Sequence, residues 1–273
     1  MEFIILVILG YLAGTIGSLV GLGGGIIIVP ALLFLGGSTT LIGDVSPQVA
    51  AGTSLLVIIF TGLSSTIAYY KQKRVDYKSG LIFFIGSGPA GILGAWVNKQ
   101  LNVDTFSIWF GVFMIFMSFV LMYKDKLKPL KRKSEKGIWR TYTDEEGNEQ
   151  SYGFRPLIAI AISVVVGFLG GLLGIGGGSL MVPAMILLFF FPPHIAVATS
   201  MLLLFLTSIT SSVAHIVMGN INWLYALALI PGAWFGGKAG ALLNKNLPGK
   251  AIVTLLRIVL IIVGIRLIFS GLN

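Results

Sequence analysis

The chain has 273 residues, 56% of them hydrophobic and only 11% charged, with a formal net charge of +9. A soluble domain carries about 25% charged residues, so this chain cannot solvate its own surface in water, and its solvent is lipid. The positive balance then belongs to loops at a membrane and does not speak for nucleic acid. With no cysteine, a disulfide framework, a thiol metal site and a thiol nucleophile are all excluded.

The first apolar run is 3–20. It lacks a basic leading region, and its end recurs later in the chain, so it is read as mature structure and not as a signal peptide. Gly21–Gly25 then interrupts the apolar sequence, and a short run, 26–36, carries Pro30. Glycine is a poor helix former that tolerates positive φ, and proline suits a first helical turn. The spacing therefore predicts a helix, an extended glycine stretch and a new short helix. Open backbone is tolerated in a membrane where it is buried in protein or lines a cavity. Its N–H groups, with the positive end of the next helix, form an anion seat. The alternative is close helix packing through Gly17-xxx-Gly21 and, later, Gly170-xxx-Gly174.

Ser46-Pro47 signals the start of the run 48–70. Lys71, Lys73, Arg74 and Lys78 place the next loop on the cytoplasmic side, and runs 80–97 and 105–123 follow. The segment 124–155 has ordinary polar composition and nine basic residues. Its first part is expected at the anionic inner leaflet. Ile138–Phe154, with Glu-Glu-Gly-Asn in the middle, reads as a short hairpin, and the whole segment as a solvated tether. Beyond it come 156–173, the cluster Gly176–Gly178, a short run 179–191 with Pro183, the start signal Pro192-Pro193, and runs 195–218, 223–243 and 251–269. The eight longer runs are each about long enough to cross roughly 30 Å of hydrocarbon as helix.

The two parts of the chain repeat. Residues 14–32 (GTIGSLVGLGGGIIIVPAL) and 167–185 (GFLGGLLGIGGGSLMVPAM) agree at ten of nineteen positions at an offset of 153. Thr53-Ser54 matches Thr199-Ser200 and Asn98-Lys99 matches Asn244-Lys245 at an offset of 146, so seven extra residues fall between the motifs of the first half, near Gly36–Ser46. The distribution of basic loops is consistent only with an odd number of crossings per half. Five segments per half, with both termini external and the halves inverted, satisfies it, as in many secondary transporters. The fold class expected is an all-α polytopic membrane protein of two inverted five-segment repeats, each with a glycine-broken helix near its start. The divisions are 1–123, a basic cytoplasmic linker 124–155, and 156–273.

Ser54, Thr61, Ser65 and Tyr69 share one helical face, and Ser200, Thr207, Ser211 and His215 occupy the matching positions. Hydroxyls donate hydrogen bonds without charge and so replace the hydration of an oxyanion; their alternative role is bonding to their own backbone or to a neighbouring helix. All ten acidic residues fall in loops or at segment ends, away from the interior positions where proton relays and cation pumps place a carboxylate. Arg257, early in the last run, is a candidate for the pathway or for an interfacial anchor. Metalloprotease, nucleophile-elbow and phosphate-loop motifs are all absent, so no catalytic residue, metal or cofactor is expected.

A Gly-x-Gly-Gly-Gly-x-x-x-Val-Pro motif near the start of each half, followed by an (Ala/Gly)-Thr-Ser helix, resembles the sulfite exporter TauE/SafE family of bacterial membrane proteins. The resemblance covers both halves and implies transport of sulfur-containing anions such as sulfite and sulfonates. Its motifs fall on Gly21, Gly23, Gly24, Gly25, Pro30 and Thr53-Ser54, and on Gly174, Gly176, Gly177, Gly178, Pro183 and Thr199-Ser200.

The expectation is an alternating-access carrier of a small oxyanion in the inner membrane of a bacterium, bound between the halves at the glycine breaks. Thr53, Ser54, Thr199 and Ser200 would be the donors. Its expected partners are that anion and the surrounding lipids. Export needs no coupling ion, whereas import would need one, with His215 as its candidate. A passive anion channel and a scaffold working through the linker remain alternatives.

Overall fold

The computed structural model describes residues 2–38, 45–98, 103–122, 137–143 and 149–272. The first half holds α1 (Glu2–Val20), α2 (Gly25–Ser38), α3 (Pro47–Lys71), α4 (Tyr77–Asn98) and α5 (Val103–Met122). A hairpin follows, β1 (Ile138–Thr143) and β2 (Glu149–Phe154), and then α6 (Pro156–Leu173), α7 (Met181–Leu188), α8 (Pro193–Val217), α9 (Trp223–Lys245) and α10 (Gly249–Leu272). The fold is all-α and polytopic, as the apolar runs require. Among the described residues, α1, α3, α4, α6, α8, α9 and α10 are long and apolar enough to cross a membrane, and the run 105–123 is the 20-residue helix α5. The helix starts expected at Pro47 and Pro193 are observed, the first capped by Ser46 accepting from the Val49 N–H.

The glycine breaks depart from expectation in one respect. They are tight turns and not extended stretches, because positive φ at Gly21, Gly23 and Gly24, and at Gly174 and Gly176, curls the chain back onto its own helix. The N–H groups of Leu22 and Gly23 both donate to the Gly17 carbonyl, and those of Ile175 and Gly176 to the Gly170 carbonyl. A Cβ at Gly17 would lie 2.0 Å from the Gly24 nitrogen. Gly17 and Gly170 thus let each turn fold against its own helix. Pro183 sits in the first turn of α7, as expected. Pro30 does not: α2 begins at Gly25, so this proline lies inside the helix and cannot donate to the carbonyl four residues back.

Helices pair across the two parts. The principal contacts are α1 with α9 and α6 with α4, α3 with α9 and α8 with α4, α3 with α8, and α5 with α10, a scheme unchanged when the halves are exchanged. The α1–α9 contact is close because Gly10 and Gly14 face the backbone of Leu229 and Ala233, while Gly232 and Gly236 face that of Val7 and Tyr11. Asn98 donates to the Leu172 carbonyl at 2.6 Å, and its repeat partner Asn244 donates to the Leu19 carbonyl at 2.7 Å. Each ties the end of one helix to the end of its cross-half neighbour. Gly52 lies against His215 and Gly62 against Phe205, so α3 and α8 run antiparallel.

The hairpin is a packed element and not a free tether. Tyr152 and Phe154 are buried, stacked among Phe83, Phe189 and Phe191 with ring centroids 4.4 to 6.2 Å apart. The Gly153 N–H donates to the Phe189 carbonyl at 3.1 Å. Arg140 and Tyr152 are direct partners in the strand register, and both reach Asp76. The guanidinium forms an ion pair with it, and the phenol donates to Oδ2 at 3.4 Å. Burial raises the Tyr152 pKa against the opposing pull of Arg140, which keeps the phenol a neutral donor. The basic residues from Lys124 to Lys136 and the Glu-Glu-Gly-Asn sequence lie outside the described residues.

Candidate functional site

The two glycine turns meet midway along the α3–α8 pair. A Cβ at Gly23 would touch Leu204 at 2.9 Å and Ile58 at 3.3 Å, and one at Gly176 would touch the same residues at 2.6 Å and 3.9 Å. Ile58 and Leu204 are themselves repeat partners, 146 residues apart. At Gly25 a Cβ would meet Ile175 at 2.9 Å and the Gly174 carbonyl at 3.1 Å, and at Gly178 the Ser200 carbonyl at 2.6 Å. Gly177 faces Gly167 and Thr207, while Gly24 faces Ala13. The turns thus come together between the halves. Since Leu22, Gly23, Ile175 and Gly176 spend their amides on the preceding helices, an anion seat narrows to the amides that follow.

The two Thr-Ser pairs do not join them there. Antiparallel packing carries Thr53-Ser54 towards one end of the α3–α8 pair and Thr199-Ser200 towards the other, about 20 Å apart at 1.5 Å per residue. The threonines brace turns: Thr53 Oγ1 accepts from the Asn222 N–H and Thr199 Oγ1 from the Asp76 N–H, each at 3.0 Å. Asn222 and Asp76 then cap α9 and α4 by accepting from Tyr225 and Ser79. Ser200 donates to the carbonyls of Gly21 and Val197. Thr53→Val and Thr199→Val are each expected to lower stability by about 1–2 kcal/mol, the cost of an unpaired buried N–H. Denaturation midpoints of the purified protein in detergent, read without any substrate, check this.

The stripes divide by hydrogen bonding. On α3, Thr61 bonds back to the Val57 carbonyl, Ser65 donates to the Gly237 carbonyl and Tyr69 to the Ser18 carbonyl. On α8, Thr207 bonds back to Leu203. His215 is buried with its ring against the backbone of Gly171, and Ser211 is buried and makes no hydrogen bond among the described residues. The same is true of Ser54, and of Ser208 and Ser212, which the repeat comparison passed over. Residues 208, 211, 212 and 215 share one face of α8, and Ser208 Oγ lies 3.0 Å from where a Gly176 Cβ would stand. Serine recurrence at i+3 and i+4 along one helix was the signal that would have found this face. Arg257 belongs to α10, whose chief partner is α5; its carbonyl accepts from Ser118.

The profile of the sulfite exporter TauE/SafE family matches residues 6–267, and the chain belongs to that family. It is 62% identical over 271 residues to the probable membrane transporter protein YunE of Bacillus subtilis (strain 168), covering 99% of each chain. It is 24% identical over 273 residues to YjnA of the same organism, also a probable membrane transporter protein, covering 96% of this chain and 98% of that one. A probable membrane transporter protein of Methanocaldococcus jannaschii is 25% identical over 274 residues, with 96% and 93% covered. No solved structure matches. The chain is a multi-pass membrane transporter.

Proposed function

We propose that this transporter exports a small sulfur-containing oxyanion, sulfite or an organosulfonate, by alternating access between two inverted repeats in a bacterial plasma membrane. The observation that carries the reading is the face of α8 formed by Ser208, Ser211, Ser212 and His215, with Ser54 on α3. These groups are buried, the serine hydroxyls without a hydrogen bond among the described residues and Ser208 beside the second glycine turn, and each such hydroxyl costs about 1–3 kcal/mol unless something bonds to it. An oxyanion supplies acceptors for several hydroxyl donors at once. The antiparallel course of α3 and α8 supports the inversion. Export follows from the field: with the cytoplasm negative, an anion leaving gains about 2.3 kcal/mol per charge per 100 mV.

Proteoliposomes loaded with sulfite and held at an inside-negative potential test the reading. Efflux is expected to saturate, to be stimulated by anion on the opposite side, and to fall at least roughly tenfold in Ser208→Ala/Ser211→Ala, two hydroxyl contacts at about 1 kcal/mol each. Ser65→Ala, whose hydroxyl already serves Gly237, is expected to change efflux far less. Non-saturating flux without stimulation identifies a channel, and wild-type efflux from the double variant removes this site. The position of His215 at the end of the same face also supports a proton-coupled importer; flux that follows a pH gradient and vanishes in His215→Gln would select that reading.

A further inference from the structure

A cavity of about 300 Å³ lies in the groove between the last turns of α3 and α9. Three lysines line it: Lys71 and Lys245 in those last turns, and Lys238 seven residues back from Lys245, about 10 Å deeper along the helix. Ile67, Ala68, Trp234 and Leu242 form its apolar wall. Ile67 and Leu242 are 43% and 51% exposed, so the groove opens sideways onto the lipid-facing surface. The groove's frame is fixed by hydrogen bonds between the helices, from Ser64 Oγ to the Trp234 carbonyl at 2.7 Å and from Gln72 Nε2 to the Ala241 carbonyl at 3.1 Å. A cationic end and an apolar wall match an amphiphile with an anionic head.

The repeat supplies an internal comparison. At an offset of 146 the equivalent helix contact recurs between α8 and α4, held by Thr210 Oγ1 donating to the Gly88 carbonyl at 3.3 Å. There Val217 stands where Lys71 does and Ile92 where Lys238 does. The helix packing is therefore satisfied without lysine at those two positions, whereas Lys245 has a counterpart in Lys99. Topological charge is carried in loops and at helix ends, where Lys73, Arg74, Lys78 and Lys250 already supply it; it gives no reason for a lysine well inside α9. Among the described residues, no acidic side chain lines the cavity.

We propose that this groove binds the phosphate-bearing headgroup of an anionic membrane lipid from the adjacent leaflet, with Lys71, Lys238 and Lys245 around the phosphate and the chains along Ile67, Trp234 and Leu242. Titrating the purified full-length protein in mild detergent with phosphatidylglycerol, phosphatidylcholine or inorganic phosphate tests it, read by thermal shift and by lipid retained in native mass spectrometry. Phosphatidylglycerol is expected to bind saturably, and neither comparator to do so. Each Lys→Gln substitution is expected to weaken binding about fivefold, with the lipid-free midpoint unchanged because all three side chains are exposed. Equal retention of phosphatidylglycerol by wild type and Lys71→Gln/Lys238→Gln/Lys245→Gln overturns the proposal. Equal affinity for phosphatidylcholine, or lysine-dependent binding of inorganic phosphate without lipid binding, overturns it as well.

Discussion

Gly174→Ala is expected to destabilise the protein by about 4 kcal/mol, and Gly219→Ala by only about 1 kcal/mol, although both glycines have the same backbone conformation. Their φ values are 70° and 72°, so the left-handed penalty of about 1–2 kcal/mol for a side chain is common to the two. The surroundings differ. A Cβ at Gly174 would lie 2.3 Å from the Cα of Ala51 and 2.4 Å from its Cβ, whereas no atom of the described residues stands within 4 Å of the same atom at Gly219. Forcing an atom into close packing adds about 1–3 kcal/mol, and the upper end applies where the obstacle is backbone. Gly21→Ala is expected to fall between the two, since its Cβ would meet the Ser200 hydroxyl at 2.6 Å and a Val182 methyl at 2.8 Å, side-chain atoms that can yield. Denaturation midpoints in detergent rank the three variants. Equal losses at positions 174 and 219 would mean that the glycine serves only its φ. The predicted order means instead that the second half's turn is seated on the first half's helix α3, so that Ala at 174 separates the halves.

Much of this architecture is legible in the sequence because lipid leaves little choice. An apolar run of 18 or more residues must satisfy its own backbone and so becomes a helix; proline at N1 then fixes the starts at Pro47 and Pro193. Paired glycines at a constant offset pointed to two turns in equivalent places. What the offset could not reveal is where equivalent residues meet. Repeat partners near the middle of α3 and α8, Ile58 and Leu204, do come together, but antiparallel packing sends partners near the helix starts, Thr53 and Thr199, to opposite ends. Matching one half against the other also hid Ser208, because Gly62 occupies its position in the first half. The docking of the hairpin was masked by the polar composition around it. Tyr152 and Phe154 lie two apart on one strand face, which is a packing signal, and Arg140 gains its meaning only from the register that sets it opposite Tyr152.

That register leads to the second large effect, at Arg140. Asp76 is buried, its carboxylate accepting from the Ser79 N–H and hydroxyl while paired with Arg140. Removing one partner of a buried ion pair leaves the other charge uncompensated, at a cost of about 3–5 kcal/mol. Arg140 is 25% exposed on its side chain, so water tempers the loss, and Arg140→Gln is expected to cost about 3 kcal/mol. Asp76→Asn should cost less, because Asn222 caps α9 in the equivalent place and shows that an amide suffices there. The double variant Asp76→Asn/Arg140→Gln is then expected to be more stable than Arg140→Gln alone, which a double-mutant cycle on denaturation midpoints measures. Additive losses would mean that the pair is not coupled and that the aromatic cluster alone holds the hairpin. A coupling of the expected sign makes Asp76 the point where the hairpin grips the start of α4. The repeat marks this grip as an addition to the fold: Asp76 and Asn222 do the same capping, and only the carboxylate can form an ion pair with an arginine from outside the helices.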